Sequence, residues 1–273
     1  MAYATIMVHV GLDAASEARV GLAVDLVDRF ESTLIGIAAY PPEPRVVWGG
    51  VGIAPLSTHR TVDEVKVALG QQESRFRSIV VNQRRWVEWR SAIDFPNEFL
   101  TREARAADLV VIGCQRPAAH TYPSFDAAAF LLRAGRPVLM VPNGLDRLPA
   151  ARIAVAWKDT REARRVLSDS LPFLHEAEKV FVMQVSEEHD AQPARRSVDD
   201  VVKYLLRHRI TTSAEVVVQT GDVTEELLNV VRREQIDLLV AGAYGRTRLG
   251  EWVFGGVTRD LLHESPVCCL FSH

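Results

Sequence analysis

The sequence predicts two tandem α/β domains, each a doubly wound, five-stranded parallel sheet with helices on both faces. Three observations carry that prediction. Short strands that are apolar along their whole length alternate with segments of helical periodicity, the pattern of a parallel sheet covered on both sides. The alternation occurs twice: ADLVVIG (107–113) resembles IDLLVAG (236–242), and GRPVLMVP (135–142) resembles ESPVCCLF (264–271). Asp108 and Asp237 lie 129 residues apart, as do Pro137 and Pro266, so the stretches between them match without a gap. A length of 273 residues, at about 150 per domain, also suits two domains.

The starts of the halves correspond too, TIMVHVGLDAASEARVGLAVDL (5–26) against RIAVAWKDTREARRVLSDSL (152–171). The Glu-Ala-Arg triplets 17–19 and 162–164 align after a two-residue slip. The join falls near PNGLDRLPA (142–150), giving domains of 1–146 and 147–273. His9, on the alternating first strand, reads either as a buried polar residue or as lining of the first half's crevice. After the second strand comes a longer insertion, 41–60, rich in Pro and Gly and expected to be a mobile loop. NQRRWVEWR (82–90) mixes Arg and Trp as single-stranded nucleic-acid sites do, but it sits in a neutral half at a helix-to-strand position.

In the second half, 151–157 reads as the first strand, and 161 to about 176 carries apolar residues at helical spacing with Thr160 as N-cap. Strand 179–185, helix 198–209 and strand 214–220 follow, then Gly221-Asp222 and a helix to about Arg233. Residues 237–242 form the fourth strand and 266–271 the fifth. The two fifth strands, 137–142 and 266–271, are expected to pair edge to edge inside one molecule, covering edges that would otherwise be exposed.

Composition narrows the function. With 48% hydrophobic and 25% charged residues the chain can bury real cores. A formal charge of −3 argues against a protein built to grip nucleic-acid phosphates. Three cysteines, Cys114, Cys268 and Cys269, make no disulfide framework and suit a reducing compartment, so a cytoplasmic location is expected. Cys268 and Cys269 are strand neighbours facing opposite ways, and no metal-ligand spacing occurs. No apolar run is long enough to span a bilayer, so no membrane partner is expected.

In doubly wound sheets, ligands bind beyond the carboxyl ends of the strands where strand order reverses. That rule points to the loops after strands 1 and 4. After strand 4 of the second half, Gly242, Gly245, Gly255, Gly256 and Thr258 form the pattern Gly-x2-Gly-x9-Gly-Gly-x-Thr between a strand and a helix. Glycines there let a phosphate or sugar approach the backbone, and free N–H groups at a helix start bind anions. The pattern is neither a Walker A loop nor the dinucleotide fingerprint. No nucleophile elbow, zincin motif or Cys–base pair is present, so no catalytic residue is assigned.

These residues resemble the universal stress protein family, and the similarity runs over essentially the full chain. The resemblance implies a five-stranded parallel α/β domain and, in nucleotide-binding members, a Gly-x2-Gly-x9-Gly-[Ser/Thr] loop that holds ATP phosphates. Gly242, Gly245 and Gly255 match that loop, and Gly256 stands where Ser or Thr belongs. The family also carries an acidic residue just after strand 1; here Lys158 takes that place and Asp159 follows. By this resemblance Gly255, Gly256, Val257 and Thr258 would hold phosphate, with Arg246 and Arg248 to neutralise its charge. Ala156, Trp157, Lys158 and Asp159, with Val185, would border the adenine. The cofactor implied is ATP, with Mg accompanying it. Trp252 and Phe254 read as core or interface residues, and His263 as exposed on the last helix.

Internal comparison separates the halves. Arg116 faces Gly245, Asp126 faces Gly255, Ala127 faces Gly256 and Ala129 faces Thr258 across the same 129-residue offset; only Gly113 survives. An aspartate at a phosphate cradle repels phosphate, so the first half is expected not to bind nucleotide in this manner. The leading expectation is a non-enzymatic stress-response protein that binds adenine nucleotide in its second half. The alternative is a nucleotide-free interaction module that binds a protein partner or an apolar ligand. A weak ATPase stands third, and a homodimer of chains stays open.

Overall fold

The computed structural model describes residues 2–42, 61–114, 125–187, 191–243, 245 and 256–273. In the first half the elements are β1 (Thr5–His9), α1 (Ser16–Phe30), β2 (Thr33–Ala39), α2 (Val62–Ile79), β3 (Val87–Ala92), α3 (Pro96–Glu103), β4 (Leu109–Gly113), α4 (Ala127–Arg133) and β5 (Val138–Val141). The second half has β6 (Arg152–Ala156), α5 (Arg161–Asp169), α6 (Leu171–Glu176), β7 (Lys179–Ser186), α7 (Ala191–Arg207), β8 (Thr212–Val218), α8 (Val223–Arg233), β9 (Leu238–Gly242), α9 (Gly256–Glu264) and β10 (Cys268–Ser272). The insertion expected to be a mobile loop lies, from residue 43 to 60, outside the described residues.

The ten strands of the described residues join one sheet in the order β3-β2-β1-β4-β5-β10-β9-β6-β7-β8. Each half repeats the same doubly wound order, with every neighbour parallel inside it. At the centre β5 and β10 run antiparallel, Leu139 facing Leu270 and Met140 facing Cys269. Side chains alternate between the two faces. Ile6, Val8, Ile153, Val155 and Cys268 contribute to one core, under α1, α2, α5, α6 and α7; Met7, Ala154, Leu239 and Cys269 contribute to the other, under α3, α4, α8 and α9. Both cores pass through the β5–β10 seam without interruption, since Leu139 and Leu270 share the first and Met140 and Phe271 the second. Across the seam, the Tyr3 hydroxyl donates to the Asp169 carbonyl at 2.6 Å, and Phe30 and Phe173 meet edge to face at 5.1 Å.

The landmark aspartates of the repeat have a shared structural task. Asp108 accepts the backbone N–H groups of Ala4 and Thr5 at 2.9 and 3.0 Å; Asp237 accepts those of Ala151 and Arg152 at 2.9 and 3.2 Å. Each ties the entry to the first strand of its half onto the fourth.

Local structure departs from the sequence expectation in several places. The helix expected over 161–176 breaks at Ser170 into α5 and α6, because Pro172 has no N–H to give and crowds the preceding turn. Helix α7 begins at Ala191, seven residues before the expected start, with Pro193 tolerated in its first turn. β8 runs 212–218 rather than 214–220, and β10 ends one residue later than expected, at Ser272. Thr160 does cap α5, accepting from Ala163 N at 3.2 Å, and Asp222 caps α8. His263 is half-buried rather than exposed.

Candidate functional site

The strand order reverses between β1 and β4 in the first half, and between β6 and β9 in the second, so each half has a crevice at those carboxyl ends. The register makes the two crevices comparable. Val8 pairs with Val111 as Val155 pairs with Val240, which sets His9 opposite Ala156 and Gly113 opposite Gly242.

In the second half, an added Cβ on Gly242 would lie 2.5 Å from Ala163 N and 2.8 Å from Glu162 C. The start of α5 therefore rests directly on the end of β9, and Gly242 serves chain packing at that contact. Gly245 lies beside the Glu162 carboxylate, whose Oε2 would stand 3.3 Å from an added Cβ, with Thr160 next to it. Glu162 is 5% exposed and accepts from Arg161 Nε at 3.2 Å. Nothing in the sequence pattern singles Glu162 out; only the helix phase places it at the crevice.

Of the residues after strand β6, Trp157 turns away from the crevice. It is buried among the residues under α5–α7, and its indole N–H donates to Ser197 Oγ at 2.9 Å. Lys158 and Asp159 are exposed, and Asp159 accepts from Arg164 at 2.6 and 3.1 Å. Among the described residues Lys158 has no ion-pair partner. Ala156, Val185 and Val257 are half-buried against the opposite core, on the face of α8 and α9, and Val185 is the register partner of Val217. The structure thus brings Ala156, Val185 and the first turn of α9 to one face, and sends Trp157 to the other. Gly256 opens α9, and among the described residues the nearest atom to an added Cβ there is Asp260 Oδ2 at 3.9 Å. Thr258 is buried. Arg246, Arg248, Trp252, Phe254 and Gly255 lie outside the described residues.

The first crevice is filled by the protein itself. Asp126, the counterpart of Gly255, caps α4 by accepting from Ala128 N and Ala129 N at 2.9 and 3.0 Å. A carboxylate of the chain already occupies the place where an anion would meet that helix. The Arg19 guanidinium lies directly against Gly113, where an added Cβ would collide with it. Arg19 donates to the His9 carbonyl at 2.9 Å and to Asp13 Oδ2 at 3.0 Å. Burial would raise the Asp13 carboxyl, but the hydrogen bond and charge of Arg19 outweigh it and hold the group below its ordinary value. His9 is 3% exposed, its ring 4.5 Å from that of Phe125. Burial, and then the charge of Arg19, push its imidazole down to about 3, so it is neutral.

One alignment is corrected by this geometry. The Glu-Ala-Arg triplets match in sequence but not in space: Arg19 is buried, whereas the Arg164 side chain is 62% exposed. The burial pattern instead sets Arg19 and Val20 against Glu162 and Ala163, because the loop after β1 is longer than the loop after β6. At equivalent points, one half carries a buried guanidinium and the other a buried carboxylate.

Among the described residues no group of three His, Cys, Asp or Glu is placed to hold a metal ion, and no helix is long and apolar enough to cross a membrane. Residues 144–272 match the model of the universal stress protein family. No curated protein matches significantly. Among solved structures, a universal stress protein from Archaeoglobus fulgidus aligns with a TM-score of 0.73 at 12% identity, over 97% of this chain and 94% of that one. A functionally unknown protein from Pseudomonas aeruginosa aligns with a TM-score of 0.59 at 12% identity, over 98% and 92% of the respective chains. At such identities the likeness is one of fold.

Proposed function

We propose, because residues 144–272 match the model of the universal stress protein family and the whole chain shares the fold of one such protein, a non-enzymatic stress-response protein that binds an adenine nucleotide in its second half. One observation carries this reading. The helix that follows the fourth strand is capped at its N-terminus by the Asp126 carboxylate in the first half, whereas the matching residue of the second half is Gly255, which has no side chain to cap with.

In this reading the N–H groups of Gly255, Gly256 and Val257 hold phosphate at the positive end of the α9 dipole. Lys158 and Arg246 supply countercharge, and Thr258 stands in for the hydroxyl that Gly256 lacks. Ala156, Asp159 and Val185 border the adenine, while Gly245 gives the sugar-phosphate room. Trp157 and Gly242 support the site through packing and touch no ligand. ATP is the nucleotide proposed, and Mg would accompany its phosphates. The domains divide at 146/147, and the β5–β10 seam makes the chain an intramolecular pseudo-dimer; the protein works in the cytoplasm.

A second reading, a nucleotide-free interaction module, is favoured by the Glu162 carboxylate beside Gly245, which opposes a phosphate at that point. The two readings separate by extracting natively purified protein for mass spectrometry and titrating ATP by calorimetry. Bound nucleotide, or binding that Gly245→Asp abolishes, supports the first. No nucleotide and no heat at millimolar ATP supports the second. Phosphate release no faster than a protein-free control sets aside ATP hydrolysis.

A further inference from the structure

A cleft of about 280 Å³ opens on the first half, between the start of α1 and the middle of α2, on the core face opposite to the one that carries His9. Val10, Val20, Phe76 and Ile79 give it apolar walls. The second half shows what stands at the matching place. Val10 and Trp157 are equivalent: their backbone N–H groups donate to the carbonyls of Ile37 at 2.8 Å and Met183 at 2.7 Å, the register partners of His9 and Ala156. Helices α2 and α7 are equivalent as well, because their buried stripes, Val65, Leu69, Gln72 and Phe76 against Ala194, Val198, Val201 and Leu205, match at the spacing of the repeat. In the second half the buried Trp157 indole reaches α7, where its N–H meets Ser197, and Tyr204 packs half-buried against the same core. The first half puts Val10, Ala68 and Arg75 at those three positions. It lacks the indole, the hydroxyl that receives it and the phenol ring together. Protein interiors carry few voids, and an apolar cavity of this kind accepts a small aromatic molecule.

The rim adds charge of both signs. Glu17 on α1 and Arg75 on α2 line the cleft and are exposed, and among the described residues neither has an ion-pair partner. A carboxylate and a guanidinium held on neighbouring helices without pairing to each other match the ammonium and the carboxylate of one zwitterion, the guanidinium offering a two-pronged hydrogen bond. Ser16, 4% exposed, also lines the cleft, and its hydroxyl is a buried atom without a hydrogen-bond partner, so a further polar group is provided for. The volume lies just under the range of drug-sized pockets, which suits one ring system carrying an amino-acid backbone.

We propose that this cleft binds a free aromatic amino acid, tryptophan being the best match, with its ring against Val10, Val20 and Phe76 as the counterpart of Trp157, its carboxylate on Arg75 and its ammonium on Glu17. This site is independent of nucleotide binding in the second half. The test is a titration of isotope-labelled full-length protein with tryptophan, indole, N-acetyltryptophanamide and leucine, followed by amide chemical shifts. Tryptophan should shift the resonances of Ser16, Val20 and Phe76. Indole and N-acetyltryptophanamide, which lack the two charges, and leucine, which lacks the ring, should each bind about tenfold or more weakly. Arg75→Gln, a change at an exposed position, should weaken tryptophan binding about fivefold and leave indole within about twofold. Val10→Trp copies the second half into the first and should abolish binding of both with the far-ultraviolet circular dichroism unchanged. If Val10→Trp does not fold, Arg75→Gln combined with Glu17→Gln carries the test, tryptophan then binding no better than indole. Shifts confined to the second half, equal affinity for N-acetyltryptophanamide or leucine, or unaltered affinity in the folded variants would overturn the proposal.

Discussion

Replacing Gly242 with alanine distinguishes a glycine that admits a ligand from one that admits the chain itself. The new Cβ would lie 2.5 Å from Ala163 N, 2.8 Å from Glu162 C and 2.9 Å from Ala163 Cα. All three are backbone atoms, so no rotamer change relieves the contact. To reach a van der Waals separation, the start of α5 must retreat by about 1 Å. That helix is held by the Thr160 cap and by burial of Ala163, Val166 and Leu167, so the retreat opens packed surface. Overpacking of this kind costs about 1–3 kcal/mol, and the smaller entropy of an unfolded alanine returns up to about 1 kcal/mol of it. A net loss of about 1–2 kcal/mol, or roughly 2–8 °C in Tm, is expected for ligand-free protein. Urea unfolding followed by circular dichroism measures it. Gly256→Ala is the control, since no atom of the described residues lies closer than 3.9 Å to the added Cβ there, and its stability should change by no more than about 0.5 kcal/mol. If Gly242→Ala unfolds like the wild type, α5 does not press on this position, and the glycine is free to serve a ligand.

The other predictions concern the filled first crevice and the strand ties. Arg19→Ala should destabilise by about 1–3 kcal/mol by taking the charged donor from the buried His9 carbonyl, read as a drop in the urea midpoint. His9 gains its proton near 6.5 when unfolded but only near 3 when folded, so the unfolded chain binds the proton first and stability falls as pH falls through that window. The slope from this group has an upper bound of about 1.4 kcal/mol per pH unit, and His9→Asn should flatten it between about pH 6.5 and 5, before most carboxylates titrate. Asp237→Ala should cost about 1–3 kcal/mol by releasing the N–H groups of Ala151 and Arg152, with Asp108→Ala matching it in the first half.

The repeat is legible in the sequence because its landmarks do structural work at fixed spacing: Asp108 and Asp237 tie strands, and the apolar runs fill both faces of one sheet. The contrast between Asp126 and Gly255 is legible as well, since it depends on residue type at a matched position. Helix phase is not. Ten residues separate His9 from Arg19 but six separate Ala156 from Glu162, so identical Glu-Ala-Arg triplets present different residues to the sheet, and no pattern exposes Glu162. Nor can the pattern tell why Gly242 is glycine, because the backbone that crosses it comes from a helix far earlier in the chain. Trp157 shows the same limit: its place after a strand suggests a ligand wall, while strand alternation aims it at Ser197 on α7. The break at Pro172 is readable from the proline alone.

The proposed function turns on one difference between the halves: Asp126 caps the helix after the fourth strand in the first, and Gly255 takes its place in the second. Calorimetric titration of the full chain with Mg-ATP tests that difference through stoichiometry, with Gly255→Asp as the variant that copies Asp126 into the second half. One ATP per chain is expected, and none for Gly255→Asp. Two per chain, none in the wild type, or undiminished binding in the variant would contradict it.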